Sequence, residues 1–514
     1  MQLIVPEALS KFWQSLPLDK FLQSLKPLEE LARRTTPKQA VAALVLAYAA
    51  HFAVFRVIFA PLRHIRGPAY TRFSNLPFIS SVKNGRQIYD YCEARKKYGK
   101  VARMGANIVS VVDPAALKII YNSHNFRKGA VYDALDWFGP NIFSARDPEF
   151  HKQRRRAVYP SYSPAAVNAM EPVLYETGPR ALAAYIEQYA EAGQVFDIMQ
   201  ELQLMRIDEV GATTFGQKFD LIHQRTHPLL GWVTQTLHLG MLQMWFPLLR
   251  RIPVPQIFSS HYRSRANLRA FVVSTIEQRR RVMEKKRDTL QVLLDAQDTD
   301  GQKLLGEQEL VSELAIQLVV GNFPVSLTLL WTINQLLENP DTLKQLMYEL
   351  DHALPDPNNI TDNKLVHLPY LDAVIRESMR HRPVMAEGLP RVVPKGGCQI
   401  SGQFIPEGTV VFVSAYALHH EEELWHDPET FRPERWLGPA EQVNEIKKAY
   451  IPFSTGVRSC AGQRFAWMLM RLTLATLLRR FTFEAMPNQN MKPAMAVFMV
   501  PAGGKYMVRA TKRA

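Results

Sequence analysis

Residues 453–462 read Phe453-Ser454-Thr455-Gly456-Val457-Arg458-Ser459-Cys460-Ala461-Gly462, a string of the form F-x-x-G-x-R-x-C-x-G. Cys460 offers a thiolate, the soft anionic ligand that pushes electron density into an iron porphyrin and favours O–O cleavage. Gly456 allows a tight turn that a residue with a Cβ would resist. Arg458 can neutralise a propionate with two parallel hydrogen bonds. Gly462 would let the following helix approach a flat macrocycle closely. That helix is expected over 463–481, where Phe465, Met468, Leu469, Leu472 and Ala475 recur at helical spacing. A lone cysteine would more simply be a structural residue of a core helix. The four residues placed around Cys460 argue against that reading.

The string resembles the cysteine loop of cytochrome P450 monooxygenases, and other parts of the chain agree with it in order and spacing. The resemblance implies a haem b whose iron takes Cys460 as axial ligand, with Phe453, Gly456, Arg458 and Gly462 around it. Glu377-Ser378-Met379-Arg380 is E-x-x-R, and residues three apart share a helix face. Phe431-Arg432-Pro433-Glu434-Arg435-Trp436 follows and is similar to the family's PERW element. Arg435 would then join Glu377 and Arg380 in a structural network beneath the haem loop. His151 and Arg155 fall where the family places haem-propionate contacts, and Arg391 resembles a third. A solvated basic helix is the alternative for His151 and Arg155.

One stretch departs from the family. The long helix of a P450 carries A/G-G-x-D/E-T-T, whose acid and alcohol relay protons so that dioxygen is cleaved heterolytically. Here it reads Val320-Gly321-Asn322-Phe323-Pro324-Val325-Ser326. Gly321 is kept, but Phe323, Pro324 and Val325 carry no group that can pass a proton. Pro324 also removes a backbone N–H and is expected to kink the helix. Two explanations stay open. Ordered water with Asn322 or Ser326 delivers protons to a conventional monooxygenase, or the enzyme performs coupling, desaturation or rearrangement without inserting oxygen. A haem protein that binds without turnover, or a helper subunit, is the non-enzymatic reading, against which the intact cysteine loop argues.

The elements that must position these residues are mostly helical. Helices are expected over 164–192, 199–215, 264–296, 306–338 and 371–379. A hairpin is expected over 101–112, and short strands alternate with turns over 392–413. No repeat or linker-like stretch divides residues 67–514. By resemblance the substrate pocket draws on 132–143, 229–245 and 383–389, with Trp137, Phe138, Trp232, Met241, Met244, Phe323 and Met385 making it apolar. Glu387 is its polar candidate for a substrate hydroxyl or amine.

The 514 residues carry a net charge of +14 and only three cysteines, Cys92, Cys398 and Cys460. So few cysteines make no disulfide framework and fit a reducing compartment. The charge fits an acidic protein partner or a membrane surface, and no motif favours nucleic acid. Residues 40–60 are almost continuously apolar, interrupted by His51 and Arg56. About 20 such residues span a bilayer. Four regions follow: an amphipathic segment at 1–39, a transmembrane anchor at 40–60, a hinge with Gly67-Pro68 at 61–75, and a haem-thiolate catalytic domain at 76–514.

The expectation is therefore a mainly α protein with a small β region, a P450-like fold with an N-terminal transmembrane helix. Family resemblance implies electrons from NADPH through NADPH-cytochrome P450 reductase, with cytochrome b5 as a second donor. It also implies a single-pass position in the endoplasmic reticulum membrane with the catalytic domain cytosolic. Residues 388–397 (Gly-Leu-Pro-Arg-Val-Val-Pro-Lys-Gly-Gly), with Ile405-Pro406-Glu407-Gly408-Thr409 and the run through Trp436-Leu437, resemble fungal P450s of secondary metabolism. That likeness implies a hydrophobic polyketide, terpenoid or alkaloid-type substrate and a tailoring step.

Overall fold

A computed structural model describes residues 36–58, 60–251, 256–283 and 285–513. The amphipathic pattern expected before Thr35 lies outside them. The chain divides into two compact units, Met1–Arg63 and His64–Ala514.

In the first unit, helix α1 covers Pro37–Ile58. Its start is a capping box: Gln39 N–H donates to Thr36 Oγ1 at 3.4 Å, and Thr36 N–H donates to Gln39 Oε1 at 2.9 Å. Pro37 follows at the position where its missing N–H costs nothing. The helix leaves Val41, Val45, Leu46 and Tyr48 more than 60% exposed. Twenty-two helical residues extend about 33 Å.

The second unit is mainly helical with small sheets. Its largest sheet contains β1 (Val101–Gly105), β2 (Ile108–Val111), β3 (Arg127–Lys128), β4 (Arg391–Val392) and β5 (Val410–Val413), in the order β1-β2-β5-β4-β3. β1 and β2 form the hairpin expected over 101–112, while β2 and β5 run parallel. The short β3–β4 pair sets Lys128 directly opposite Arg391. Residues expected as part of a hinge pack on this sheet. Arg103 N–H donates to Arg66 O at 2.8 Å, and a Cβ on Gly67 would lie 2.3 Å from Arg103 O.

The helices that frame the site are α2 (Pro148–Val158), α3 (Ile198–Val210), α4 (Pro228–Trp245), α5 (Ser259–Arg281), α6 (Glu307–Val320), α7 (Phe323–Glu338), α8 (Pro369–His381) and α9 (Gln463–Arg480). α7 packs against α3, α8 and α9, with Leu329, Leu330 and Trp331 fully buried. The run Glu307–Glu338 is long and apolar enough to cross a membrane, but it is mostly buried in protein and serves as the core.

Two helices differ from expectation. The helix predicted over 264–296 ends at Arg281, and a separate one begins at Thr289. Asp288 causes the restart: it caps the new helix through Gln291 N–H and takes both Arg279 guanidinium nitrogens at 2.7 and 2.6 Å. The helix predicted over 306–338 breaks at Gly321-Asn322. Pro324 has no N–H to offer Val320 O. Asn322 N–H falls back to Val319 O at 3.2 Å, and Arg206 Nη2 donates to Gly321 O at 2.5 Å.

Candidate active site

The cysteine loop is folded by its own backbone. Cys460 N–H donates to Phe453 O and Ser459 N–H to Gly456 O, both at 3.0 Å. Gly456 has φ +73°, and a Cβ there would sit 2.3 Å from Tyr121 O, so only glycine fits. Gly462 is different. A Cβ on it would meet only the Tyr162 ring at ordinary contact, so no protein neighbour demands glycine there. Burial pushes the Cys460 thiol up, while the Gly462 N–H and Arg155 act to lower it. Cys460 lies one turn ahead of α9 and is exposed. Arg155 on α2 donates to Ser459 O at 3.1 Å and ties that helix to the loop.

A closed polar network lies in the frame that leads to the loop. Glu377 and Arg380 on α8 pair at 2.9 and 2.8 Å. Arg435 Nε donates to Glu377 Oε1 at 2.9 Å, Arg432 N–H to the same oxygen at 3.0 Å, and Trp436 Nε1–H to Oε2 at 3.0 Å. Arg380 Nη1 donates to the carbonyls of His419 and Pro428, and Nη2 donates to Thr430 O as well as to Glu377. His419 continues the path, because its Nε2 accepts Ile451 N–H at 3.0 Å, two residues before Phe453. No sequence pattern marks His419, which acts through a backbone contact 32 residues away.

The cations form the opposite kind of cluster. His151, Arg155, Arg391 and Arg458 gather with Lys128, which the sequence reading missed because its strand has two residues. Arg458 donates to Ala145 O at 2.7 Å, and Arg391 to Pro390 O at 3.1 Å and Leu389 O at 3.3 Å. Lys128 donates to Phe143 O. Among the described residues none of the five makes an ion pair, and the buried Arg391 Nη2 has no hydrogen-bond partner. Burial and Arg391 push Lys128 well down. Burial, then Arg391, lowers Arg458 to about 10, and burial, with Arg458, Lys128 and Arg155, lowers His151 to about 3. Packed cations without an ion-pair partner are costly, and two propionates are anions that would relieve part of that cost. A free thiol with open surface and a glycine that no protein atom requires fit the macrocycle in the same way.

At the helix break, the amide oxygen of Asn322 is buried and has no partner among the described residues. Ser326 is also buried, and its hydroxyl donates back to the carbonyls of Asn322 and Phe323, each at 3.1 Å. Phe323 stacks on Phe498 with centroids 5.8 Å apart. Trp137 and Phe138 are buried, and Trp232, Met241, Met244 and Met385 are half-buried. Glu387 accepts the Tyr91 hydroxyl at 3.1 Å, and burial pushes its carboxyl up to about 7. One of its oxygens is therefore already engaged by protein.

Comparison with known proteins agrees with this geometry. The sequence profile described as Cytochrome P450 matches residues 66–508. The chain is 30% identical over 481 residues to the cytochrome P450 monooxygenase helB3 of Aspergillus fumigatus, covering 92% of this chain and 93% of that one. It is 28% identical to the cytochrome P450 monooxygenase LUC2 of a Fusarium species, covering 97% and 98%. The fold is similar to the haem domain of cytochrome P450DA, with a TM-score of 0.77 at 20% identity, over 88% of this chain and 98% of that one. The chain belongs to the cytochrome P450 family. It is an oxidoreductase of the monooxygenase class, and that family implies a haem with a thiolate-bound iron.

Proposed function

We propose that the protein oxidises a hydrophobic small molecule as a tailoring step of fungal secondary metabolism, with Cys460 as the thiolate ligand. The observation that carries this is the pairing of an open, loop-held thiol with a largely buried cluster of four basic side chains and a neutral histidine that makes no ion pair among the described residues. Arg155, Arg391 and Arg458, with His151 and Lys128, would hold the propionates, and Glu377, Arg380 and Arg435 would fix the frame. The bound haem supplies dioxygen activation. The chain's own residues bind the substrate among apolar side chains, exclude water and supply protons. Neither Phe323 nor Pro324 can carry a proton, and the Ser326 hydroxyl is engaged by its own helix. The unpartnered amide oxygen of Asn322 is therefore the group to which a proton-carrying water would bind.

The same observations favour a second reading, oxidative coupling or desaturation, which needs less of that proton supply. Electrons would come from NADPH through an acidic reductase, which the net charge of +14 suits. The exposed apolar side chains of α1 support a membrane anchor of the endoplasmic reticulum. Mass spectrometry of metabolites made with and without the gene tests the reaction. We expect the product to exceed the accumulated intermediate by one oxygen. Loss of two hydrogens, or a dimer, would sink oxygen insertion in favour of the second reading. The double variant Phe323→Asp, Pro324→Thr tests the relay. A water route predicts little gain in product per NADPH. A gain approaching the 10²–10⁴-fold typical of a placed general acid would show that the native chain lacks a relay.

A further inference from the structure

His381, His420 and Glu429 each offer a ligating atom, and these atoms lie within 4.8 Å of one another. His381 ends α8, His420 follows the helix Ala415–His419, and Glu429 sits in the loop between Pro428 and Thr430. Both rings are buried, at 5% and 7% exposure, while Glu429 is exposed.

Hydrogen bonds fix which nitrogen of each ring is free. Gln335 turns its NH₂ toward Asn334 and Glu338, so its Oε1 must accept, and His381 Nδ1 donates to it at 2.7 Å. His420 Nδ1 faces the Tyr416 carbonyl at 2.9 Å and must also donate. In both neutral rings the lone pair is therefore on Nε2. His420 Nε2 is buried and has no partner among the described residues. A buried acceptor without a donor is costly, and here a second imidazole and a carboxylate converge beside it. An Nδ1–H bound to an oxygen, with Nε2 turned to a common point, is how metal-ligating histidines are oriented.

We propose that His381, His420 and Glu429 bind a divalent transition metal, with zinc as the fitting ion. Two imidazoles and a carboxylate, with an exposed fourth position for water, match a three-ligand zinc site. Bonds of about 2.1 Å set ligand atoms about 3.4 Å apart in a tetrahedron. Present separations of up to 4.8 Å therefore close by at most about 1.4 Å, shared between exposed Glu429 and the two rings. The ion would clamp three segments of the Arg380 frame, since Arg380 already donates to the carbonyls of Pro428 and Thr430 on either side of Glu429.

The test uses the full-length, haem-loaded protein without a polyhistidine tag, stripped with chelator and titrated with Zn²⁺. Stoichiometry is read by equilibrium dialysis and stability by thermal unfolding. We expect one Zn²⁺ per chain and a midpoint that rises with zinc. Glu429→Gln, an exposed position that should not disturb folding, should weaken binding more than tenfold, a loss of the size seen when metal sites lose a supporting group. The control Glu422→Gln removes another exposed carboxylate and should bind as the native chain does. Absence of stoichiometric zinc, or equal affinity in Glu429→Gln, would overturn the site.

Discussion

Two buried charge clusters of this molecule are built on opposite rules. Around Glu377, both carboxylate oxygens accept from Arg380, Arg435, Trp436 and the Arg432 backbone. Around Arg391, the basic side chains find carbonyls, a phenol and the faces of aromatic rings, and among the described residues one guanidinium nitrogen has no hydrogen-bond partner. The first cluster is complete as protein and can serve only to hold shape. The second makes no ion pair among the described residues. Burial is alike in both, at 0% exposure for Glu377 and 1% for Arg391, so burial alone does not separate a strut from a binding site. What separates them is whether the charges close on themselves.

The largest effect should come from opening the closed cluster. Glu377→Ala leaves two buried guanidiniums without their carboxylate, a change that costs about 3–5 kcal/mol. Against a domain stability of about 5–15 kcal/mol, we expect little or no haem-loaded protein and a much lower thermal midpoint. The loss should be present with or without haem. A variant that folds with the native midpoint would break the comparison at its firmest point.

Arg391→Met should act in the reverse sense. The variant removes a buried cation that has no protein counter-charge, so the apoprotein should be as stable as the native one or more so. Haem retention should fall, because a charge-assisted hydrogen bond of about 1.5–3 kcal/mol is lost, or roughly ten- to a hundredfold in release rate. Transfer of haem to a scavenging globin measures the release. Destabilisation of the apoprotein on the scale of Glu377→Ala would mean that Arg391 is a strut after all.

The closed cluster was the more legible of the two in the sequence. E-x-x-R is a local spacing on one helix turn, and the PERW element delivers its partner in fixed order. The cysteine loop was legible for the same reason, since its shape depends on Gly456 and on hydrogen bonds within eight residues. The cation cluster was legible only in part. His151, Arg155 and Arg458 lie in recognisable strings, but Lys128 joins through the pairing of two very short strands, which no periodicity signals. Pro324 announced the break in the long helix, while the Arg206 bond to Gly321 O depends on a distant helix. Tertiary approach alone places His420 beside His381, 39 residues earlier, and the hydrogen bonds of Gln335 and Tyr416 settle their tautomers.

The smallest and most discriminating prediction concerns His151. In the protein alone, burial and the neighbouring Arg458, Lys128 and Arg155 hold its ring near pKa 3, below an ordinary value of about 6.5. The unfolded chain therefore binds more protons between those values. Stability contributed by the neutral ring is full above about pH 6.5 and is lost as pH falls toward 3. His151→Gln cannot titrate, so in the apoprotein the gap between variant and native midpoints should shift in the variant's favour as pH drops from 7 to 4. Propionates among the same cations would offset their charge and raise the ring's pKa in the haem-loaded protein. The pH dependence of that gap should then shrink on haem binding. An equal dependence with and without haem would place the anions away from His151 and confine the open cluster to Lys128 and the three arginines.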